Sequence, residues 1–85
     1  VANAGASIGK NCIINSQALV EHDVFIGNDT HISTGVKING SVNIADNCFI
    51  GSGSIIREGV RIGKNSFIGA GKIIKKDVND GSIIK

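Results

Sequence analysis

The sequence predicts an all-β chain wound as a single-stranded parallel β-helix, a triangular prism of about four coils with three hexapeptides in each. Three observations predict it. Ile or Val recurs every sixth residue without a break, at Ile8, Ile14, Val20, Ile26, Ile32, Ile38, Ile44, Ile50, Ile56, Ile62, Ile68 and Ile74. The position two before the repeat residue is small or β-branched from Ala6 through Ser66, as in Ala18, Val24, Thr30, Val36, Cys48 and Ser54. The position just after is often Gly or Asn, as in Gly9, Asn15, Gly27, Asn39, Gly51, Gly63 and Gly69. A helix of 3.6 residues per turn would scatter the Ile series around its surface.

Each hexad reads as one short strand followed by one corner. The repeat Ile and the small residue two before it point inward, where a corner leaves little room. Gly and Asn after the repeat residue are expected to supply the positive φ of a sharp corner. Three hexads close a coil, and stacking at about 4.8 Å gives a prism roughly 19 Å tall. Residues 1–79 form this β-helix domain. The pattern fails after Ile74, because Asp80 takes the next repeat position. The run Asp77-Val78-Asn79-Asp80-Gly81 is expected to turn out of the prism, and residues 80–85 to begin a C-terminal cap or arm.

Composition narrows the function. The chain has 85 residues, room for one domain, and a net charge of +2, too small to argue for nucleic acid. No apolar run approaches the roughly 20 residues of a membrane helix, and no signal peptide opens the chain. Cys12 and Cys48 lie 36 residues apart, two coils or roughly 9–10 Å. That is beyond disulfide reach and fits small buried thiols in a reducing compartment.

Residues one coil apart stack. The outward position before the repeat residue then gives the columns Ile13, His31, Phe49, Phe67 and Leu19, Lys37, Ile55, Ile73. These are two apolar stripes on a surface that is otherwise polar. Exposed stripes of this kind mark an interface, and a three-sided prism carrying two of them is expected to form a homotrimer. The third column, Ser7, Phe25, Asn43, Arg61, is mixed. Basic residues gather late, at Arg57, Arg61, Lys64, Lys72, Lys75 and Lys76, as a solvated end or a place for a nucleotide phosphate.

His22 sits at a corner within Glu21-His22-Asp23, and Gly40 lies one coil on, roughly 5 Å away. A base beside a glycine N–H suits acyl transfer: the base takes the nucleophile's proton and the N–H stabilises the oxyanion. A neighbouring carboxylate holds the imidazole tautomer. A lone surface histidine is more often inert; the acidic flanks and the Gly40 column raise His22 above that reading. His31 is half a coil away, so the two histidines meet only across an interface between subunits. A zinc site of the trimeric β-helix carbonic anhydrase kind needs three histidine ligands, and the chain has two. An ice-binding prism needs ranks of Thr, and only Thr30 and Thr34 occur.

The run from Asn15 through Glu21-His22-Asp23 to Gly27, the segment Thr30-His31-Ile32-Ser33, and Ile68-Gly69-Ala70-Gly71 followed by Lys76-Asp77 resemble the hexapeptide-repeat sugar acetyltransferases. The resemblance is to the branch of sialic acid O-acetyltransferases and bacterial nucleotide-amino-sugar N-acetyltransferases. It implies a left-handed β-helix, a cytoplasmic homotrimer and acetyl-CoA as co-substrate. It implies His22 as general base, with Asp23 raising its basicity, and a nucleotide sugar or sialic acid-type acceptor used in building surface polysaccharide. It also implies that acetyl-CoA lies between neighbouring prisms against His31, Gly40, Ser52 and Ala70, with no metal. The N-terminal sugar-nucleotide-binding domain of that family has no counterpart in these residues. The alternative function is a non-catalytic trimerisation solenoid.

Overall fold

The computed structural model describes residues 5–85; residues 1–4 of the expected β-helix domain lie outside it. Thirteen strands of two residues follow one another: β1 (Ser7–Ile8), β2 (Ile13–Ile14), β3 (Leu19–Val20), β4 (Phe25–Ile26), β5 (His31–Ile32), β6 (Lys37–Ile38), β7 (Asn43–Ile44), β8 (Phe49–Ile50), β9 (Ile55–Ile56), β10 (Arg61–Ile62), β11 (Phe67–Ile68), β12 (Ile73–Ile74) and β13 (Ile83–Ile84). They stack as three parallel sheets. Face one holds β1, β4, β7 and β10; face two holds β2, β5, β8, β11 and β13; face three holds β3, β6, β9 and β12. The result is an all-β solenoid of about four turns, the architecture that the six-residue period predicts.

The register pairs residues 18 apart, as in His31 with Phe49 and Ile38 with Ile56. The second residue of each strand is the repeat Ile or Val. From Val20 to Ile68 these residues are essentially sealed from solvent, forming one column per face down the prism. Burial of each is worth about 1.5–3 kcal/mol. Between them sit the small residues two positions earlier, and their polar atoms are all engaged. Cys12 Sγ donates to Gly27 O at 3.0 Å, Thr30 Oγ1 to Ala45 O at 3.2 Å, Cys48 Sγ to Gly63 O at 3.2 Å and Ser54 Oγ to Gly69 O at 2.8 Å. Small hydroxyls and thiols thus tie one coil's interior to the next coil's corner, so among the described residues no buried side-chain nitrogen or oxygen lacks a partner. Both cysteines are free thiols.

Two expectations need correction. The glycines directly after the repeat residue do not carry the positive φ. That conformation falls two residues later, at Asn11, Asp23, Asp29, Gly35, Ser41, Asn47, Gly53, Gly59, Asn65, Gly71 and Gly81. Gly51 is glycine because a Cβ there would stand 2.5 Å from Ala70 N and 2.6 Å from Gly69 C of the coil above. Gly9, Gly27 and Gly63 are likewise crowded by the next coil. Close stacking excludes their side chains; the true left-handed position uses Asn and Asp, which tolerate it, as well as Gly.

The chain also does not leave the prism at Asp77–Gly81. Val78 bridges to Ile62, and β13 pairs with β11, Phe67 against Ile83. The spacing in this last turn is 16 residues, because the corner after Ile74 is two residues shorter than the others. Val78 therefore replaces the Ile expected at position 80, and Asp80 caps instead: its Oδ1 accepts from Lys64 N at 3.0 Å.

Candidate functional site

The three edges of the prism differ in how they treat the backbone N–H two residues after the repeat Ile. On the edge between faces one and two, those of Lys10, Asn28 and Lys64 are capped by a side chain of the coil above. Lys10 N donates to Asn28 Oδ1 and Asn28 N to Asp46 Oδ1, each at 2.8 Å. On the other two edges, among the described residues, no hydrogen bond of the fold uses the corresponding N–H groups of Gly40, Ser52 or Ala70. All three are among the residues singled out from the sequence, and each offers an uncommitted donor.

The edge between faces three and one carries the base. His22, Gly40 and Glu58 stack in one column, with Glu21, Asn39 and Arg57 beside them, and together they line an open cleft of about 360 Å³. The backbone is held by the ladder: Ser41 N donates to His22 O at 3.2 Å and Gly59 N to Gly40 O at 3.1 Å. Asn39 Nδ2 donates to Ile56 O at 3.0 Å, which turns that side chain up the wall and away from the imidazole.

Gly40 is buried at the floor of the cleft. A Cβ on it would stand 3.2 Å from His22 Cε1 and 3.5 Å from Nε2, so the imidazole lies against the Gly40 backbone. Asp23 takes the left-handed conformation, φ 60°, and this brings its carboxylate back to its neighbour. Asp23 Oδ2 is 3.3 Å from His22 Nδ1. That contact favours the tautomer with the proton on Nδ1 and leaves Nε2 as the basic nitrogen. One coil below, a Cβ on Gly5 would stand 3.1 Å from Asp23 Oδ1, so Gly5 leaves space for the carboxylate. The pair is open to water, with side-chain exposures of 68% for His22 and 72% for Asp23. In that setting the ion pair alone is worth little.

The other predicted residues are elsewhere on the same chain. His31 is half-buried on face two, its ring 5.1 Å from that of Phe49, which stacks on Phe67 at 5.0 Å. With Ile13 and Ile83, both more than half exposed, they form the expected apolar stripe. Face three exposes Ile73 in the same way, while Lys37 interrupts that stripe. Ser52 and Ala70 stack on the edge between faces two and three, with Gly71 N donating to Ser52 O at 2.8 Å. Within one chain, then, His22, Asp23 and Gly40 come together, and His31, Ser52 and Ala70 do not join them.

Arg57 and Glu58 belong to the cleft and were missed as site residues. The signal for them was the column itself, continued one coil past Gly40. Among the described residues no group of His, Cys, Asp and Glu is arranged to hold a metal, and no helix is long and apolar enough to cross a membrane.

Comparison with known proteins agrees with the repeat. The sequence model of the bacterial transferase hexapeptide family (six repeats) matches residues 41–76. Among solved structures, PerB from Caulobacter crescentus, in complex with CoA and GDP-perosamine, is 33% identical with a TM-score of 0.95. The match covers 96% of this chain and 40% of that one. The acetyltransferase domain of PglB from Neisseria gonorrhoeae FA1090 is 28% identical with a TM-score of 0.87, over 94% of this chain and 48% of that one. The same domain in complex with acetyl coenzyme A is 26% identical with a TM-score of 0.85, over 96% of this chain and 49% of that one. The chain thus spans about half the length, or less, of these solved proteins. The hexapeptide-repeat solenoid and its likeness to sugar acetyltransferases, read from the sequence, are both found here.

Proposed function

We infer that the chain is the donor-binding part of an acetyl-CoA-dependent acetyltransferase that acylates an amine or hydroxyl of a nucleotide-linked sugar. The observation that carries this reading is the contact between the His22 imidazole and the Gly40 backbone, with Asp23 on the far ring nitrogen. The sugar nucleophile attacks the thioester carbonyl carbon while His22 Nε2 takes its proton. The Gly40 N–H donates to the oxyanion that forms. Collapse of the tetrahedral adduct breaks the C–S bond, and the proton held by His22 passes to the departing sulfur. No covalent enzyme intermediate is needed.

The working form is a homotrimer with acetyl-CoA lying between neighbouring prisms. A neighbour's face two supplies His31, and a neighbour's edge supplies the N–H groups of Ser52 and Ala70. Two features support this: the exposed aromatic stripe needs covering, and the two donor-bearing edges are complete only when brought together. Such a neighbour would also take the His22–Asp23 pair out of open water, where its electrostatics would strengthen. The complexes of PerB with CoA and GDP-perosamine and of the PglB domain with acetyl coenzyme A support the choice of substrates. Cytoplasmic location and a role in surface polysaccharide belong to the same proposal.

The test is His22→Ala in the full-length protein, with turnover measured beside calorimetric titration of acetyl-CoA. The expected result is a loss in kcat of about 10²–10⁴ with donor affinity retained. Near wild-type turnover would sink the assignment. An intact trimer that ignores acetyl-CoA would favour the trimerisation solenoid, a reading that the exposure of His22 and Asp23 also suits.

A further inference from the structure

The left-handed corner position does not by itself require glycine. Asn, Asp or Ser occupies it at Asn11, Asp23, Asp29, Ser41, Asn47 and Asn65, with φ between 58° and 61°. Nor does an aspartate there require glycine one coil below. Asp29 stands one coil above Asn11, its N–H donating to Lys10 O, and both residues take φ 58°. Gly5, one coil below Asp23, therefore needs a second reason.

That reason is a carboxylate. A Cβ on Gly5 would stand 3.1 Å from Asp23 Oδ1 and 3.5 Å from Asp23 N. The ladder fixes Gly5 at this level: Ser7 pairs with Phe25, and Ser7 N donates to Val24 O at 2.8 Å. The other left-handed glycines have no such neighbour. At Gly53, Gly59, Gly71 and Gly81 a Cβ would meet nothing within 4 Å, and at Gly35 it would meet only the Gly53 backbone, at 3.9 Å. Among the described residues Gly5 is thus the one left-handed glycine whose missing side chain makes room for another side chain. The side chain it admits is the one that contacts the imidazole. Oδ1 of Asp23 lies against Gly5, while Oδ2 lies 3.3 Å from His22 Nδ1.

We propose that Gly5 is a positioning residue that seats the Asp23 carboxylate on the coil below and so holds Oδ2 on His22 Nδ1. Gly5 acts through Asp23 and touches no substrate. The contact it supports is long for a hydrogen bond, and among the described residues no other hydrogen bond holds the carboxylate. A side chain at residue 5 forces Oδ1 to move, and a carboxylate held so lightly turns away into water. His22 then loses the partner that keeps its proton on Nδ1. Gly40 does for the ring on the coil above what Gly5 does for the carboxylate on the coil below, so three successive coils build the seat of the pair. The consequence for acetyl transfer rests on the acetyltransferase reading; the hold of Gly5 on the pair does not.

The experiment uses the full-length protein carrying Gly5→Asn. Asn takes the same corner conformation at Asn11, Asn47 and Asn65, and residue 5 is exposed. The backbone is therefore kept while a side chain is placed under Asp23. Gly81→Asn is the control, the same change at a left-handed glycine with open space around it. Steady-state kinetics with a nucleotide-linked amino sugar, acetyl-CoA affinity by calorimetry, Tm, and the nitrogen NMR shifts of the neutral His22 ring are measured. Gly5→Asn is expected to lower kcat about tenfold, with KM and acetyl-CoA affinity unchanged and Tm within a few degrees of wild type. The ring nitrogens should move from the Nδ1–H tautomer toward a mixture of the two. Gly81→Asn should change none of these. Asp23→Gly removes the carboxylate and accommodates the backbone conformation; in that background Gly5→Asn should cost nothing further. Unchanged nitrogen shifts in Gly5→Asn overturn the proposal. So does a loss of kcat that recurs undiminished in the Asp23→Gly background, which assigns Gly5 to the fold. A wild type that neither binds acetyl-CoA nor transfers acetyl overturns the acetyltransferase reading instead, and the nitrogen shifts alone then decide the role of Gly5.

Discussion

The imidazole of His22 rests on the backbone of Gly40, one coil above it, so closely that a methyl group on Gly40 would stand 3.2 Å from Cε1. Gly40 is not in the left-handed region, so its lack of a side chain is a matter of space alone. Gly40→Ala is therefore expected to fold with nearly wild-type stability while displacing the ring from its place beside Gly40. Turnover should fall about tenfold to a hundredfold with little change in Tm, since displacements of this size disrupt reacting geometry. Kinetics and a thermal melt on the same sample check it. A large loss of Tm would show the glycine to be structural instead.

The two kinds of glycine in the corners should respond differently to alanine. At Gly51 a Cβ meets three backbone atoms of the coil above at 2.5–2.8 Å. Backbone cannot step aside, and overpacking of this kind costs about 1–3 kcal/mol or more. At Gly59 a Cβ meets nothing within 4 Å, but φ is +76°, which costs an L-residue about 1–2 kcal/mol. Gly51→Ala should thus be the more damaging change by urea unfolding. Gly59→Asn should recover much of what Gly59→Ala loses, because Asn tolerates that conformation. Equal loss for Asn and Ala would contradict the conformational account.

Much of this was legible in the sequence because the solenoid repeats one rule. The Ile series fixed the period, alternation fixed which residue faces in, and the multiple of three hexads fixed the columns, including that of His31, Phe49 and Phe67. What failed was conformational detail within the corner. Gly51 and Gly53 look alike in a sequence, yet one is forced by stacking and the other by φ. The shortened last corner was hidden because Val78 stands two residues early, and the period alone treats a missing pair of residues as the end of the pattern. The site was half legible. His22 and Gly40 share a column one coil apart, but Asp23 reaches His22 only through its left-handed backbone, and Glu58 needed the column to be followed one level further.

The aromatic stripe predicts the assembly. Phe67 is 40% exposed and stacked on Phe49, so Phe67→Asp leaves the core intact while placing a charge in the proposed interface. Light scattering should show the wild type as a trimer and the variant shifted to the monomer at micromolar concentration. Circular dichroism should stay unchanged. A variant that keeps the wild-type mass would remove face two from the interface.

The buried thiol gives a prediction of pH dependence. Burial pushes the Cys48 thiol above its ordinary range, outweighing the hydrogen bonds from the Ser66 and Asn65 backbone. The folded state therefore keeps this proton when the unfolded chain has begun to release it. The sign follows: the contribution of Cys48 is fully present below the ordinary thiol pKa and is lost as pH rises through and beyond it. Cys48→Ser keeps a donor for Gly63 O, which the thiol now serves at 3.2 Å, and does not ionise in that range. The variant should accordingly lose less stability between neutral pH and alkaline pH than the wild type, by urea midpoints at each pH. Alkylation should report the same burial: Cys48 is 3% exposed and should react with iodoacetamide only on unfolding. Rapid labelling of Cys48 in the native protein, or parallel pH curves for the two proteins, would contradict this account of the core.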